Sequence, residues 1–177
     1  MLWLIAYVAS IVVANVVTAA TVPLMLGPFI VPWGTFLIGC TLVLRDAVQL
    51  RFGRPASYAA IAVALLASAI SSHLLGDTLA ITGASAVAFA FSESAETEIF
   101  SRFKALLAAR IMWSGTLSSL VDSLLFIVLG LSPLTTGILP WPLVPLAILG
   151  QYIVKTAMVS LGSAASLRVN QRLLVPA

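Results

Sequence analysis

The sequence predicts an all-α integral membrane protein, a six-transmembrane-helix bundle with both termini in the cytoplasm. Hydrophobic residues make up 61% of the 177 positions and charged residues only 8%, whereas an ordinary soluble domain has about 25% charged residues. The apolar residues form long runs, and a helix needs about 20 of them to cross a bilayer. Among the connections between these runs, only alternate ones contain basic residues. One transmembrane domain is therefore predicted over 1–177.

Six segments are long and apolar enough to span a bilayer. The first is expected to stay in the mature protein, because Met1, Leu2 and Trp3 provide no basic leader of the kind that precedes a signal peptide. Two of the connections are rich in Pro and Gly and are predicted to be loops. In chain order, the six predicted segments are 2–20, 31–50, 57–75, 80–101, 110–130 and 141–166.

The distribution of Lys and Arg predicts the orientation. The loops at 21–30, 76–79 and 131–140 contain no basic residue, whereas the other connections and the tail contain seven. By the positive-inside rule, the basic side is cytoplasmic, and the chain is a multi-pass membrane protein. The net charge of +3 then reflects topology and needs no nucleic-acid partner. The seven residues are Arg51, Arg54, Arg102, Lys104, Arg110, Arg168 and Arg172.

The first two segments carry polar residues that could be structural or could contact a ligand. Asn15 in the first segment could hydrogen-bond a neighbouring helix or bind a ligand. Arg45 and Asp46 lie in the inner half of the second segment, followed by Gln49. They could form a local ion pair near the interface or take part in a binding site. Both interpretations stay open for these residues.

The fourth segment has the most informative pattern. Glu93 and Glu96 are three residues apart and share a helix face, and Phe89 lies one turn before them. A charge at the centre of a membrane helix costs about 3 kcal/mol or more, so such residues usually serve a function. Glu98 points to another side and is expected to be an interfacial charge within reach of Arg102.

The fifth and sixth segments add polar groups at the same depth. Asp122 lies about the middle of the fifth segment, and Gln151 and Lys155 share a face at i, i+4 in the sixth. A lone ammonium group in the bilayer seeks an acid. We therefore expect Lys155 to pair with Asp122 or with Glu93.

The interior charges do not balance. Asp46, Glu93, Glu96 and Asp122 outnumber Arg45 and Lys155, so two carboxyl groups must be protonated or must meet a ligand with N–H donors or positive charge. A flat heterocycle could stack on an aromatic side chain from Phe89, Phe91 or Trp113. No cofactor and no metal site is predicted, since Cys40 is the single cysteine and no paired histidines occur.

Dispersed residues along nearly the whole chain resemble the vitamin uptake transporter (VUT) family. They are Asn15, the run Pro32-Trp33-Gly34-Thr35-Phe36, Arg45-Asp46, Phe52-Gly53, Ser92-Glu93 with Glu96, Phe100-Ser101-Arg102, Ser119 with Asp122-Ser123, and Lys155. The chain departs from the family in being short, and it has Gln151 where some relatives have Asp.

The resemblance implies import across the inner membrane of the queuosine precursor 7-cyano-7-deazaguanine, of 7-aminomethyl-7-deazaguanine, or of both, which are small molecules used in tRNA modification. The implied substrate-binding residues lie on five of the six segments, and association into a homo-oligomer is left open. An alternative is a substrate-binding membrane subunit that docks on a separate ATPase module. An enzyme is not expected, because the motifs H-E-x-x-H and G-x-S-x-G are lacking. The nine predicted substrate-binding residues are Asn15, Arg45, Asp46, Phe89, Glu93, Glu96, Asp122, Gln151 and Lys155.

Overall fold

The computed structural model describes residues 2–76 and 79–167, which form a helical bundle with one small β-hairpin. A turn of π-helix, Ile127–Leu131, extends the helix that ends at Phe126, and a 3₁₀ turn, Trp141–Leu143, leads into the last helix. The helices are α1 (Leu2–Ala20), α2 (Gly34–Leu74), α3 (Leu79–Arg102), α4 (Leu107–Phe126) and α5 (Val144–Ser166), and the strands are β1 (Leu24–Leu26) and β2 (Phe29–Val31).

Helix α2 joins the two segments that the sequence predicted as separate helices. It is broken at Gly53, whose φ of 82° and ψ of 175° are not helical. Glycine adopts a positive φ without the steric cost that a side chain would add. Pro55 follows two residues later, near the start of the second arm, where the missing N–H of proline costs no helical hydrogen bond. The break therefore divides α2 into arms 34–52 and 54–74.

A short β-hairpin occupies most of the connection that was predicted as a loop at 21–30, while the fold as a whole is helical, as predicted. Leu24 pairs with Val31 and Leu26 with Phe29 in an antiparallel register. The hairpin packs against α5 at Gly150, where an added Cβ would lie 2.9 Å from the Cβ of Phe29. A glycine at this position thus lets the hairpin approach the helix closely.

Three helical stretches among the described residues are long and apolar enough to cross a membrane: Gly34–Leu74, Leu107–Leu131 and Trp141–Ser166. A shorter apolar helix covers Leu2–Thr18. Helix α3 is long enough but carries Glu93, Glu96 and Glu98 among several serines, which lower its mean hydropathy. The apolar helices indicate a membrane protein.

The bundle places polar side chains inside and large apolar side chains outside. Ser114, Ser118 and Ser119 on α4 are fully buried, whereas Leu117 and Leu120 on the same helix are exposed. This arrangement suits a lipid environment, in which an apolar exterior is stable and interior polar groups form hydrogen bonds with one another. The basic tail residues Arg168 and Arg172, used to orient the C-terminus, lie outside the described residues.

Candidate functional site

The nine predicted site residues fall into two adjoining groups inside the bundle. The first group, named here the Arg45 cluster, is fully buried between α2 and α3. The second group, named the Lys155 pocket, lines a cavity of about 250 Å³. The Arg45 cluster consists of Arg45, Asp46, Glu93 and Glu96, and the Lys155 pocket contains Asn15, Phe89, Asp122, Gln151 and Lys155.

The Arg45 cluster places three carboxylates around one guanidinium group. Arg45 Nη2 lies 2.9 Å from Asp46 Oδ1 and 2.8 Å from Glu96 Oε1, and Arg45 Nε lies 3.5 Å from Glu93 Oε2. All four side chains are at most 1% exposed. An ion pair between Arg45 and Asp46, one of the two interpretations left open by the sequence, is therefore present, and it belongs to a larger buried network.

Neutral polar groups hold the Arg45 guanidinium in place. Arg45 Nη1 donates to Gln49 Oε1 at 2.5 Å and to Thr97 Oγ1 at 3.3 Å. Gln49 Nε2 donates in turn to the Thr97 carbonyl oxygen at 3.2 Å and to Ser101 Oγ at 2.7 Å. Buried ion pairs cost free energy unless further hydrogen bonds support them. Gln49 and Thr97 supply that support, although sequence reasoning did not single out Thr97.

The Lys155 pocket is organised by an ion pair between α4 and α5. Lys155 Nζ donates to Asp122 Oδ2, to Gln151 Oε1 at 3.1 Å and to Ser123 Oγ at 3.3 Å. These three acceptors match the three N–H bonds of an ammonium group. Of the two predicted partners of Lys155, the structure brings Asp122 into contact.

Asp122 and Gln151 keep hydrogen-bonding capacity on the cavity side. The Asp122 side chain is 15% exposed, and its Oδ1 accepts a hydrogen bond from Ser92 Oγ at 3.3 Å. Because Gln151 Oε1 accepts from Lys155, the amide NH₂ of Gln151 is the group left to donate to a ligand. The pocket thus combines a carboxylate acceptor with an amide donor.

The remaining walls of the cavity come from α1, α2 and α3. Asn15 Nδ2 donates to Ser71 Oγ at 2.7 Å and to Ser68 Oγ at 3.2 Å, so Asn15 both joins α1 to α2 and lines the cavity. Phe89 is buried and lines the cavity from α3. Sequence reasoning missed further lining residues, for which small hydroxyl or apolar side chains give little signal: Thr18, Thr35, Ser68, Ser72, Ser85 and Phe126.

Two of the three proposed stacking residues lie away from the cavity. Phe91 is 63% exposed and Trp113 is 54% exposed on the outer surface of the bundle. Neither residue lines the cavity, and Phe89 is the member of the three that does. Helix periodicity explains the difference between Phe89 and Phe91, because residues two apart on a helix point about 200° apart.

A network of ion pairs and hydrogen bonds lies at the C-terminal end of α3, whereas the N-terminal half of this helix lines the cavity. Glu98 accepts hydrogen bonds from Arg54 and from Tyr58 Oη, the latter at 2.7 Å, and lies 3.0 Å from Arg102 Nη2. The predicted contact between Glu98 and Arg102 is confirmed. The network joins the residues just after the Gly53 break to α3, so its position supports an interfacial role for Glu98.

Comparison with known proteins identifies a family over the second half of the chain. The sequence model of a family described as "Putative vitamin uptake transporter" matches residues 71–165, more than half of the chain. The matched region contains Phe89, Glu93, Glu96, Asp122 and Lys155. No curated protein matches the chain, and no solved structure matches it.

Proposed function

Because the chain belongs to the vitamin uptake transporter family, we propose that it is an inner-membrane transporter that imports queuosine precursors. The proposed substrates are 7-cyano-7-deazaguanine, 7-aminomethyl-7-deazaguanine, or both. The observation that carries the proposal is the Lys155 pocket, in which a carboxylate, an amide donor and an aromatic ring meet in one small cavity.

The proposed topology has six membrane crossings with both termini inside. The two arms of α2 on either side of Gly53 count as separate crossings, since residues 51 and 54 carry the basic side chains of a cytoplasmic turn. The cavity includes Thr18, Pro32 and Leu131, which lie near the connections that contain no basic residue. In this topology, the cavity belongs to the outer half of the bundle and the Arg45 cluster to the inner half.

The polar groups of the pocket complement the edge of a 7-deazaguanine. This edge presents N1–H and a 2-amino group as adjacent donors, and Asp122 can accept both. The neighbouring O6 atom is an acceptor, and the Gln151 amide is placed to donate to it, while Phe89 offers a face for the ring. Lys155 would then act by holding Asp122 and Gln151 rather than by touching the ligand.

Cavity size and charge also favour a small, uncharged ring system. Ligand cavities commonly measure about 300–1,000 Å³, and this cavity of about 250 Å³ lies just below that range. The Lys155 ion pair neutralises the carboxylate in the cavity. An adenine-like analogue would leave Asp122 and Gln151 opposite mismatched groups, and unpaired buried polar groups lower affinity strongly.

Thermal unfolding of the purified protein tests the proposal. A ligand present at 100 times its Kd stabilises the folded state by about 2.7 kcal/mol, so 7-cyano-7-deazaguanine should raise the Tm, and adenine and biotin should not. Asp122→Asn should remove the shift, whereas Glu98→Gln, at the opposite end of the bundle, should keep it. A shift produced by biotin but by no 7-deazaguanine would assign a different substrate to the pocket.

A second measurement separates a stand-alone carrier from a subunit of a larger transporter. The purified chain in liposomes should take up 7-cyano-7-deazaguanine without any other protein. Uptake that appears only after addition of a co-purified ATPase would support the docking alternative instead.

A further inference from the structure

Among the described residues, the acidic groups inside the bundle outnumber the basic groups that pair with them by two. Four acidic side chains lie inside, and two basic side chains form ion pairs with them: Arg45 with three of the acids and Lys155 with Asp122. A buried carboxylate with no opposite charge is costly, and protonation removes that cost. The four acidic side chains are Asp46, Glu93, Glu96 and Asp122.

We propose that Glu93 binds and releases one proton in each transport cycle, so that substrate uptake is coupled to proton entry. The proposal deepens the proposed function and depends on it for the identity of the substrate. The presence of an exchangeable proton on Glu93 does not depend on the substrate and can be measured without it.

Geometry selects Glu93 among the acids of the Arg45 cluster. Its distance of 3.5 Å to Arg45 is longer than the 2.9 Å of Asp46 and the 2.8 Å of Glu96. The guanidinium group therefore stabilises the Glu93 carboxylate least of the three, although Glu93 is as deeply buried as the other two. Loss of its charge on protonation disturbs the Arg45 network least.

The Tyr7 hydroxyl group provides a partner for both states of Glu93. Tyr7 is fully buried on α1, its Oη atom has no hydrogen-bond partner among the described residues, and it faces Glu93. A phenol donates to a carboxylate and accepts from a carboxylic acid. A small movement of the Tyr7 side chain would thus form a hydrogen bond to Glu93 whether or not Glu93 carries the proton.

The proton site adjoins the Lys155 pocket. Phe89, one turn before Glu93, lines the cavity, and the intervening Ser92 donates to Asp122, which is near enough to Glu93 to interact electrostatically. A proton that enters through the cavity converts the Glu93 carboxylate into a carboxylic acid, and release to the inner side restores the carboxylate. The titratable and charged groups around Glu93 are Tyr7, Arg45, Asp46, Glu96 and Asp122. Two further groups act on these neighbours: Lys155 forms the ion pair with Asp122, and Arg110 influences Asp46.

Infrared difference spectroscopy of the full chain in lipid tests the proton site directly. Exposed carboxyl groups, with pKa values near 4, are already ionised above pH ~6, so a carboxylic acid C=O band that is still present above pH ~6 and disappears as the pH rises further reports a buried acid. We expect this band in the parent protein, its loss in Glu93→Gln, its retention in Glu98→Gln and a frequency shift in Tyr7→Phe. A parent protein without the band would overturn the proposal, as would a band that persists in Glu93→Gln. If Glu93→Gln does not fold, the Tyr7→Phe variant provides the test instead. A band at the same frequency in Tyr7→Phe as in the parent protein would then overturn the proposal.

Uptake by proteoliposomes tests the coupling. With one proton per substrate, an inward gradient of one pH unit supports about tenfold accumulation of 7-cyano-7-deazaguanine. The ratio of accumulation with and without the gradient should approach that value in the parent and in Glu98→Gln. Equal accumulation with and without the pH gradient would overturn the coupling. A complete lack of uptake, with the infrared band present, would contradict the proposed substrate but leave the proton site established.

Discussion

Lys155 on α5 and Asp122 on α4 form a buried ion pair that joins the two helices at the wall of the cavity. The Lys155 side chain is 3% exposed and the Asp122 side chain 15%. The pair also fixes the direction of the Gln151 amide, because Lys155 donates to Gln151 Oε1. The Lys155–Asp122 ion pair therefore both packs α4 against α5 and positions the hydrogen-bonding groups that are proposed to bind the substrate.

Removal of Lys155 should harm the protein more than removal of the whole pair. Lys155→Met leaves Asp122 with an uncompensated charge, and breaking a buried pair in this way costs about 3–5 kcal/mol. The double variant Lys155→Met with Asp122→Asn should recover part of that stability, since the two charges are coupled. Thermal unfolding of both variants, with exposed Lys104→Met as the control, measures the effect. Parent-like unfolding of Lys155→Met would show that the pair does not contribute.

Loss of the pocket acceptor should weaken substrate binding without preventing membrane insertion. Hydrogen bonds to a charged group contribute about 1.5–3 kcal/mol, so Asp122→Asn should lower the affinity for 7-cyano-7-deazaguanine by about tenfold to a hundredfold. Isothermal titration of the purified proteins measures this change. Glu98→Gln is the matched acidic control, and equal losses in both variants would indicate a general effect on the fold.

Close packing of α1 against the start of α2 should make Gly34 intolerant of a side chain. A Cβ at position 34 would lie 2.5 Å from the Ala14 carbonyl oxygen, a backbone atom that cannot move independently. Gly34→Ala should therefore lower the Tm. Gly83→Ala is the control, since a Cβ at position 83 meets nothing within 4 Å and alanine favours a helix by about 1 kcal/mol over glycine. Equal Tm values for the two variants would contradict the close approach of α1 and α2.

The basic side of the bundle should be inaccessible from outside the cell. In a Cys40→Ser background, single cysteines at Gly27 and Gly137 should react with a membrane-impermeant maleimide in intact cells. Cysteines at Arg54 and Lys104 should react only after permeabilisation, because the positive-inside rule places them in the cytoplasm. All four positions are in turns or loops or are exposed, so access rather than burial decides the result. External labelling at position 104 would reverse the topology.

The sequence by itself determined the helical segments and the residue types of the site. Long apolar runs specify helices in a bilayer whatever their neighbours are, so the predicted 2–20 and 141–166 segments correspond closely to the observed helical stretches Leu2–Ala20 and Trp141–Ser166. Charged residues within such runs are rare because they are costly. Each one therefore stood out, as Glu93 and Lys155 did.

The tertiary structure decided which of these residues meet. Sequence spacing places Glu93 and Glu96 on one face of α3 but cannot say whether that face meets Arg45 or the cavity, because the rotation of each helix depends on its neighbours. Packing directs Arg45 toward three carboxylates and leaves Asp122 at the cavity wall. The hairpin was likewise missed, since strands of three residues form through long-range packing against Gly150 more than through local preference. The division of one set of polar residues into a buried charge cluster and the lining of a cavity is thus a property of helix packing.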